Sequence, residues 1–471
     1  MIFDHIHLVF LVALKQEVPD NFEGAIPTVS LKALKSQDFR RLTESQNSML
    51  CIVTGVGKIN IQDAVLWVST NLSPLMVINF GLAGSRHYHS GDLVMPTSVS
   101  YKSNRHPLLF SKFPFHSSAH VISGDNCETV DDVSSISESS LVDMESYWVV
   151  ESCLRYDLPV YILKCVSDSN SNDAEFEFQQ NLAKCSRMLE SCFESLLNPK
   201  PCSISVIIPT FNRYSTLKRA IDSVLKQTKE SECIVVDDAS TDDTKSLVKN
   251  YDESLVRYVA LSENKGVSYA RNCGVQAATG NWIAFLDSDD EWLPKKLEHH
   301  LSFLDAHPYY HILQCEEQWV RHGKHFNKKK YHQKREGFIF DSCLERCMIS
   351  PSAVFFRKSF FLDYGGFDES LEVCEDYDLW LKMSRDVPVG LHSDVDLIKY
   401  GGHSDQLSAS SPVMDRFRVK SLAEQYYHET HMNVKKKIRS VLEKKLSILI
   451  SGAKKRGQET SYYEKIFKSL D

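Results

Sequence analysis

The chain has 471 residues, 42% hydrophobic and 25% charged, with a formal net charge of -8. Such a length calls for about two to four domains, and the composition excludes a low-complexity or disordered polymer. The negative balance gives no basis for nucleic-acid binding by the chain as a whole. Thirteen cysteines, odd in number and without a C-x-x-C pair, suit free thiols in a reducing cytosol better than a disulfide frame. Cys343 and Cys347 lie one helical turn apart, but no histidine completes a zinc set, and core packing accounts for them. Ile6 to Leu14 is far shorter than the ~20 apolar residues of a membrane helix and lacks a basic flank, so a buried first strand is expected.

In chain order, a strand-like run His7 to Ala13 precedes Glu17. Met49 to Thr54 runs into Gly55-Val56-Gly57-Lys58 and a helical pattern from Ile59 to about Val68. Leu75 to Asn79 leads to Gly81, Ala83 and Gly84; Gly91-Asp92 precedes Leu93 to Met95; Pro159 precedes Val160 to Val166. Strands alternating with helical patterns predict a parallel or mixed sheet covered by helices. The glycines after strands permit tight turns and close approach of a ligand. No stretch fits G-x-G-x-x-G or a P-loop. Glu17 follows the first strand, Met144-Glu145 opens a helix-like run, and Asp168 ends the strand from Val160. Carboxylates at such ends of one sheet edge can act as acid and base; the other reading of each is a helix cap or a surface charge.

Several of these stretches occur in one familiar order: V-A-L-K-Q-E-V (Val12 to Val18), V-T-G-V-G-K (Val53 to Lys58), V-I-N-F-G-L-A-G (Val77 to Gly84), G-D-L-V (Gly91 to Val94), S-G-D (Ser123 to Asp125), V-D-M-E (Val142 to Glu145) and L-P-V-Y-I-L-K-C-V-S-D (Leu158 to Asp168). The unit resembles the nucleoside phosphorylase superfamily, and most of all its methylthioadenosine/adenosylhomocysteine nucleosidase type. The resemblance implies an α/β sandwich in which Glu17 activates water and Asp168 protonates a leaving purine. It also implies a nucleoside site of Met144, Glu145, Ala83 and Gly84, with Glu145 on the ribose hydroxyls. Asn79 stands where phosphorylases of the superfamily carry a phosphate-binding arginine, which favours water as nucleophile. Thr97 to Val121 is short and irregular for the family, so a retained fold serving as a nucleoside-binding or scaffold module is the alternative.

Asn198-Pro199-Lys200-Pro201 ends a helical run from Phe178 to Leu197 and stiffens a connection. The expected division is 1–198, 202–410 and a helical tail, 411–471. Beyond the join, Ser203 to Pro209 is a strand, and Thr216, Leu217, Ala220, Ile221, Val224 and Leu225 form one apolar helical stripe. Cys233 to Val236 delivers Asp237-Asp238, Val256 to Leu261 is a third strand, and Asn264-Lys265-Gly266 turns into a helix with Arg271 and Asn272. The run Trp282 to Leu286 then drives into Asp287-Ser288-Asp289-Asp290. A short apolar run of this kind reads as a buried central strand. In a parallel sheet these strand ends share one edge, where open α/β sheets place ligands. Crowded carboxylates repel unless a cation neutralises them, and a hard divalent ion carrying a diphosphate would do so. The bland reading of D-x-D is a solvated turn capping the next helix.

The signatures V-I-I-P-T-F-N-R (Val206 to Arg213), I-V-V-D-D-A-S-T-D (Ile234 to Asp242), N-K-G-V-S-Y-A-R-N (Asn264 to Asn272), F-L-D-S-D-D (Phe285 to Asp290), G-G-F-D-E-S-L (Gly365 to Leu371) and E-D-Y-D-L-W-L (Glu375 to Leu381) follow in order. This unit resembles glycosyltransferase family 2, with its GT-A (Rossmann-like) fold. The resemblance implies a nucleotide-sugar site of Pro209, Thr210, Asn212, Arg213, Asp237, Asp238, Lys265, Arg271, Asp287 and Ser288. It implies Mn2+ or Mg2+ on Asp289 and Asp287, with His403 as a late addition to the metal shell; a plain loop histidine is the other reading. Asp376 would be the catalytic base, oriented or assisted by Glu375. One base opposite the leaving group implies inversion, with Glu375-Asp376 capping its helix as the other reading.

Gln314 to Phe340, with Trp319, Arg321 and Lys328 to Tyr331, is basic and aromatic and is read as an acceptor-side loop or a solvated charged one. Phe417 to Ile450 and Tyr462 to Leu470 are helical. They are expected to pack on the second unit, or else to rest on a membrane surface. The whole implies a cytoplasmic enzyme, with peripheral contact at the inner membrane face as an option. It would take a UDP-sugar to a glycan or lipid-linked acceptor, with a purine nucleoside as the first unit's ligand. The competing reading is a chain acting mainly as a nucleosidase.

Overall fold

The computed structural model describes residues 6–23, 25–35, 48–110, 121–130, 139–171, 173–197, 201–327, 332–402 and 414–470. His403, Lys328 to Tyr331, Asn198 to Lys200 and part of Thr97 to Val121 lie outside the described residues. The chain divides into two compact units, Met1–Lys200 with Ala306–Tyr309, and Pro201–Asp305 with Tyr310–Asp471.

In the first unit the described residues form a nine-stranded sheet. Its strands are β1 (Leu8–Val12), β2 (Thr28–Ser30), β3 (Met49–Val53), β4 (Met76–Gly84), β5 (Leu93–Tyr101), β6 (Asn104–Pro107), β7 (Val121–Thr129), β8 (Leu141–Asp143) and β9 (Val160–Asp168). The order is β2-β3-β1-β4-β8-β7-β5-β6, and β9 pairs with both β4 and β5, so the pairings β4-β8-β7-β5-β9 return to β4. β1 runs parallel to β3 and β4, and β4 parallel to β9. Every residue of β4, M-V-I-N-F-G-L-A-G, is buried, which is the pattern of a strand covered on both faces. The glycine turn expected after Asn79 is not a turn: β4 continues through Gly84. Close approach is what these glycines serve. A Cβ on Gly81 would lie 3.0 Å from Glu17 Oε1, and one on Gly84 only 2.4 Å from Asp168 Oδ1. Phe22 packs on Phe10, Phe80 and Phe193 and so holds the segment that carries Glu17 onto this sheet.

The second unit also has a nine-stranded sheet among its described residues. It comprises β10 (Ile204–Thr210), β11 (Glu232–Asp237), β12 (Val256–Ala260), β13 (Trp282–Phe285), β14 (Glu291–Trp292), β15 (Ile312–Arg321), β16 (Lys324–Phe326), β17 (Val354–Arg357) and β18 (Gly390–Gly401), in the order β12-β11-β10-β13-β17-β15-β18-β14 with β16 on β15. The first four are parallel, with Thr210 opposite Asp237 and Ile207 opposite Phe285, so their carboxyl ends share one edge. β17 turns antiparallel to β13. The first part of the basic aromatic stretch, through Phe326, is a strand hairpin rather than a loop, with Trp319 opposite Phe326.

The tail belongs to the second unit's core. Helices Asp415–His428, Met432–Lys455 and Ser461–Lys468 send Val419, Leu422, Val434, Ile438, Leu442 and Leu446 into the cluster that holds Ile207, Phe285 and Trp380. Burying each such side chain is worth roughly 1.5–3 kcal/mol. Among the described residues, no helix is long and apolar enough to cross a membrane.

Candidate functional site

At the carboxyl edge of β10, β11 and β13 lies a cavity of about 730 Å3. Pro209, Thr210, Asn212 and Arg213 line it from the end of β10, Asp238 from β11, and Asp287, Ser288, Asp289 and Asp290 from β13. Glu375 and Asp376 enter from the first turn of the helix Glu375–Asp386, and Lys399 and Tyr400 from β18. Asn212 takes the left-handed conformation at φ 52, which asparagine tolerates better than most residues. Its Oδ1 accepts the Thr241 amide at 2.8 Å, while its own amide donates to Ser240 Oγ at 2.9 Å, so the loops after β10 and β11 hold each other. Asp238 accepts the amides of Lys265 and Gly266, both at 2.8 Å, and so sets the start of the helix Val267–Ala277. Thr210 Oγ1 is buried at the cavity wall without a hydrogen-bond partner.

One buried arginine ties the edge together. Arg271 Nη2 donates to Asp287 Oδ1 at 2.7 Å, and Nη1 donates to Glu375. Burial alone would raise Asp287, but the charges of Arg271 and Lys399 outweigh it and hold the carboxyl below its usual value. Asp289 has no such clamp: burial and then the charge of Asp287 push its carboxyl up. Burial and Asp376 likewise raise Glu375, with Arg271 opposing. Asp290 is spent on the scaffold, accepting from Ser352 Oγ at 2.7 Å and the Tyr400 amide at 3.0 Å. Asp376 accepts the Cys347 thiol at 3.3 Å and the Tyr377 amide at 2.7 Å.

The donor set fits a hard divalent cation. Asp238, Asp287, Asp289, Asp290, Glu375 and Asp376 face only Arg213, Arg271 and Lys399 in this lining. An excess of carboxylate oxygen, with Asp289 raised by burial and the charge of Asp287, is what Mg2+ or Mn2+ neutralises.

Two of the expected nucleotide-sugar residues lie outside this cavity's lining. Asp237 does not line the cavity; its carboxylate is taken by the Tyr258 hydroxyl at 2.5 Å and the Ser240 amide at 2.9 Å. The Lys265 ammonium is also outside the lining and pairs with Glu263 at 3.1 Å on the surface. Sequence reasoning missed Lys399, whose burial is outweighed by the nearby charges of Glu317, Asp290, Asp287 and Asp376, so that it stays protonated. It also missed Arg219, which donates to the Asp289 carbonyl and lies 3.8 Å from the centre of the Tyr400 ring. Neither sits in a recognisable local motif. Arg219 has only its place beside the apolar stripe of its helix as a signal.

In the first unit, Glu17 and Asp168 both abut the carboxyl half of β4. Glu17 accepts the amides of Leu14 at 2.8 Å and Leu82 at 3.1 Å. Asp168 accepts the Ser167 hydroxyl at 2.7 Å and the Asn170 amide at 3.0 Å. Burial raises both carboxyls. Glu145 is the residue preceding the helix Ser146–Arg155, and burial with the charge of Asp143 pushes it up to about 8. Beside it is a feature the sequence reading did not foresee, a fully buried Lys164–Asp143 ion pair at 2.8 Å. Met144 is half-buried, while Ala83 is buried within β4. Asn79 donates to the Leu11 carbonyl at 3.0 Å, which is a structural use of that side chain.

A parallel-edge cavity crowded with carboxylates belongs, in the second unit, to an α/β domain of the GT-A-like class. Residues 205–363 match the model of Glycosyl transferase family 2, and residues 8–133 match that of the Phosphorylase superfamily. The chain thus joins a phosphorylase-superfamily domain to a family 2 glycosyltransferase domain. The phosphorylase match includes Glu17, Ala83 and Gly84 and stops before Glu145 and Asp168. An uncharacterized glycosyltransferase of Rickettsia prowazekii is 32% identical over 219 residues, which is 43% of this chain and 65% of that protein. The chain therefore spans less than two thirds of that relative's length. The Escherichia coli protein named UDP-Glc:alpha-D-GlcNAc-diphosphoundecaprenol beta-1,3-glucosyltransferase WfaP is 38% identical over 104 residues, covering 22% of this chain and 41% of that one. Among solved structures, Staphylococcus aureus TarS 1-349 aligns with a TM-score of 0.43 at 20% identity, over 53% of this chain and 74% of that one.

Proposed function

We propose that the second unit transfers a sugar, with inversion, from a nucleotide-sugar donor of the UDP-sugar class to a glycan or lipid-linked acceptor in surface polysaccharide synthesis. The observation that carries this reading is the convergence of three strand ends and one helix N-terminus on a single cavity containing both Asp289 and Asp376. The WfaP relative, whose name pairs UDP-Glc with a diphosphoundecaprenol-linked sugar, supports the donor and acceptor classes.

In this reading Thr210, Asn212 and Asp238 bound the nucleoside end. Asp289 and Asp287 would hold Mn2+ or Mg2+, which when bound supplies neutralisation of the charge on the departing diphosphate. Lys399 adds a fixed positive charge on the same side. Arg271 holds the Asp287 carboxyl below its usual value and keeps Asp287 and Glu375 in place. Asp376 accepts the proton of the acceptor hydroxyl as that oxygen bonds the anomeric carbon and the bond from that carbon to the diphosphate oxygen breaks. A base of this kind contributes typically 10²–10⁴-fold. Release of nucleoside diphosphate from a panel of UDP-sugars, with acceptor present, tests the assignment. Asp376→Asn should lose about that factor while still binding UDP; full turnover in that variant and in Asp289→Ala would overturn it.

For the first unit, the carboxylates on either side of the β4 end support hydrolysis of a purine nucleoside. Glu17 would activate water, Glu145 would hold the ribose, and Asp168, its carboxyl raised by burial, would supply a proton to the base. Base release from purine nucleosides that disappears in Asp168→Asn is the expected result. Binding without release would leave a non-catalytic nucleoside-binding module instead.

A further inference from the structure

Away from the transferase cavity, the helix Lys296–Ala306 and strand β18 bring two histidines and two aspartates together. The pairing of β18 with β15 is interrupted here: Cys315 is opposite His392, but the next residue, Glu316, is opposite Val395. Bulges of this kind re-aim side chains. This one leaves His392, Asp394 and Asp396 facing His299. His299 Nδ1 is 2.8 Å from Asp396 Oδ2 and 3.9 Å from Asp394 Oδ2. His392 Nε2 is 3.7 Å from Asp396 Oδ2, and its Nδ1 is 3.9 Å from Asp394 Oδ2. An imidazole gives one nitrogen to an ion, and His299, His392 and Asp396 each offer one ligand atom within 4.8 Å of the others. With His392 taken through Nε2, the two histidines' spacings of 2.8 Å and 3.7 Å to Asp396 bracket the roughly 3.3 Å between ligand atoms around a tetrahedral ion. The exposed Asp394 side chain reaches the set beside His299 Nδ1.

A second observation points to a ligand. His392 is 7% exposed, and neither of its ring nitrogens has a hydrogen-bond partner. A buried imidazole left unpaired is costly and calls for an explanation such as an ion. The other face of His392 does not offer one. There His300 and Cys315 lie within ligand distance of it, but the Lys296 ammonium sits 2.5 Å from His300 Nε2 and fills that side. The nearby Lys334 is already paired with Glu317 at 2.9 Å.

We propose that His299, His392, Asp394 and Asp396 form a structural site for one divalent transition-metal ion, Zn2+ foremost, that staples the helix Lys296–Ala306 to β18. Imidazole nitrogens with carboxylate oxygens suit Zn2+, and two carboxylates balance its charge. Asp394 is 60% exposed at its side chain and leaves a route for entry. The staple lies on the strand that carries Lys399 and Tyr400 into the transferase cavity, so it would stiffen that strand without touching substrate.

The test uses the full chain, stripped with a chelator and titrated with Zn2+ alone against a chromophoric competitor, then with Co2+ for its visible spectrum. One tight equivalent is expected, with the intense absorption of tetrahedral Co2+. It should persist in Asp289→Asn, which alters only the transferase cavity, and weaken at least tenfold in His299→Gln and in Asp394→Asn. Both positions are solvent-accessible, so these variants do not depend on refilling the buried His392 position. Absence of a tight equivalent, its survival in both variants, or its loss in Asp289→Asn would each overturn the site.

Discussion

Arg271 donates from Nη1 to Glu375 Oε1 at 2.6 Å, joining two residues 104 positions apart at the cavity wall. The same guanidinium holds Asp287, so the D-x-D turn and the E-D helix start are bridged by one buried side chain. The pair of carboxylates keeps Arg271 charged against burial.

Removing that bridge leaves two buried carboxylates without their counter-ion. Arg271 is 4% exposed, so solvent does little to screen the loss. Arg271→Ala should cost about 3–5 kcal/mol. Arg271→Lys should recover part of the stability but not transfer, because one ammonium cannot reach both carboxylates in the planar fork of the guanidinium. Denaturant titration beside nucleoside diphosphate release checks both statements.

Lys399 acts on the donor in the proposed function. Its Nζ donates to Ser350 Oγ at 2.9 Å, which aims it without neutralising it. Lys399→Met should weaken UDP binding by about tenfold, or ~1.4 kcal/mol. Calorimetric titration of UDP in the presence of Mn2+ measures it, and unchanged affinity would remove Lys399 from the donor site.

Glu145 gives the first unit a pH dependence of definite sign. Its carboxyl rises from an ordinary 4.5 to about 8, first through burial and then through Asp143. Between those values the folded chain keeps a proton that the unfolded chain releases. This contribution to stability is therefore lost as pH rises through that window, at up to about 1.4 kcal/mol per pH unit. Glu145→Gln cannot ionise. The difference in unfolding free energy between this variant and the parent should grow with pH in the variant's favour.

Leu442, in the helix Met432–Lys455, is fully buried in the second unit's core. Leu442→Ala should cost about 2–5 kcal/mol, as deletions from packed cores do. A thermal unfolding temperature unchanged by the substitution would show that this helix is an appendage rather than part of the transferase core.

The motifs with a local cause were legible in the sequence. An apolar run ending in Asp287-Ser288-Asp289-Asp290 reads as a strand delivering carboxylates to its end, and Glu375-Asp376 as the start of a helix. The apolar spacing of Leu442, Leu446 and Leu449 likewise announced a buried face. Asp237 shows the limit of such reading. It stands beside Asp238 at the same strand end, yet Tyr258 of the neighbouring strand captures it. Lys164 shows the same limit from the other side, since a lysine inside an apolar strand has no visible partner until β8 brings Asp143 to it.

Sequence alone determined that two α/β units follow one another, which families they resemble, and which strand ends carry acid. It could do so because periodicity, turn residues and motif spacing are properties of neighbours along the chain. Only the tertiary structure decided that Arg271 clamps Asp287 and Glu375, that Lys399 joins their cavity, and that His299 meets His392, Asp394 and Asp396. Those encounters depend on which strands pair and where β18 bulges, and burial then sets the charge of each group. Neither quantity is written in any short stretch of residues.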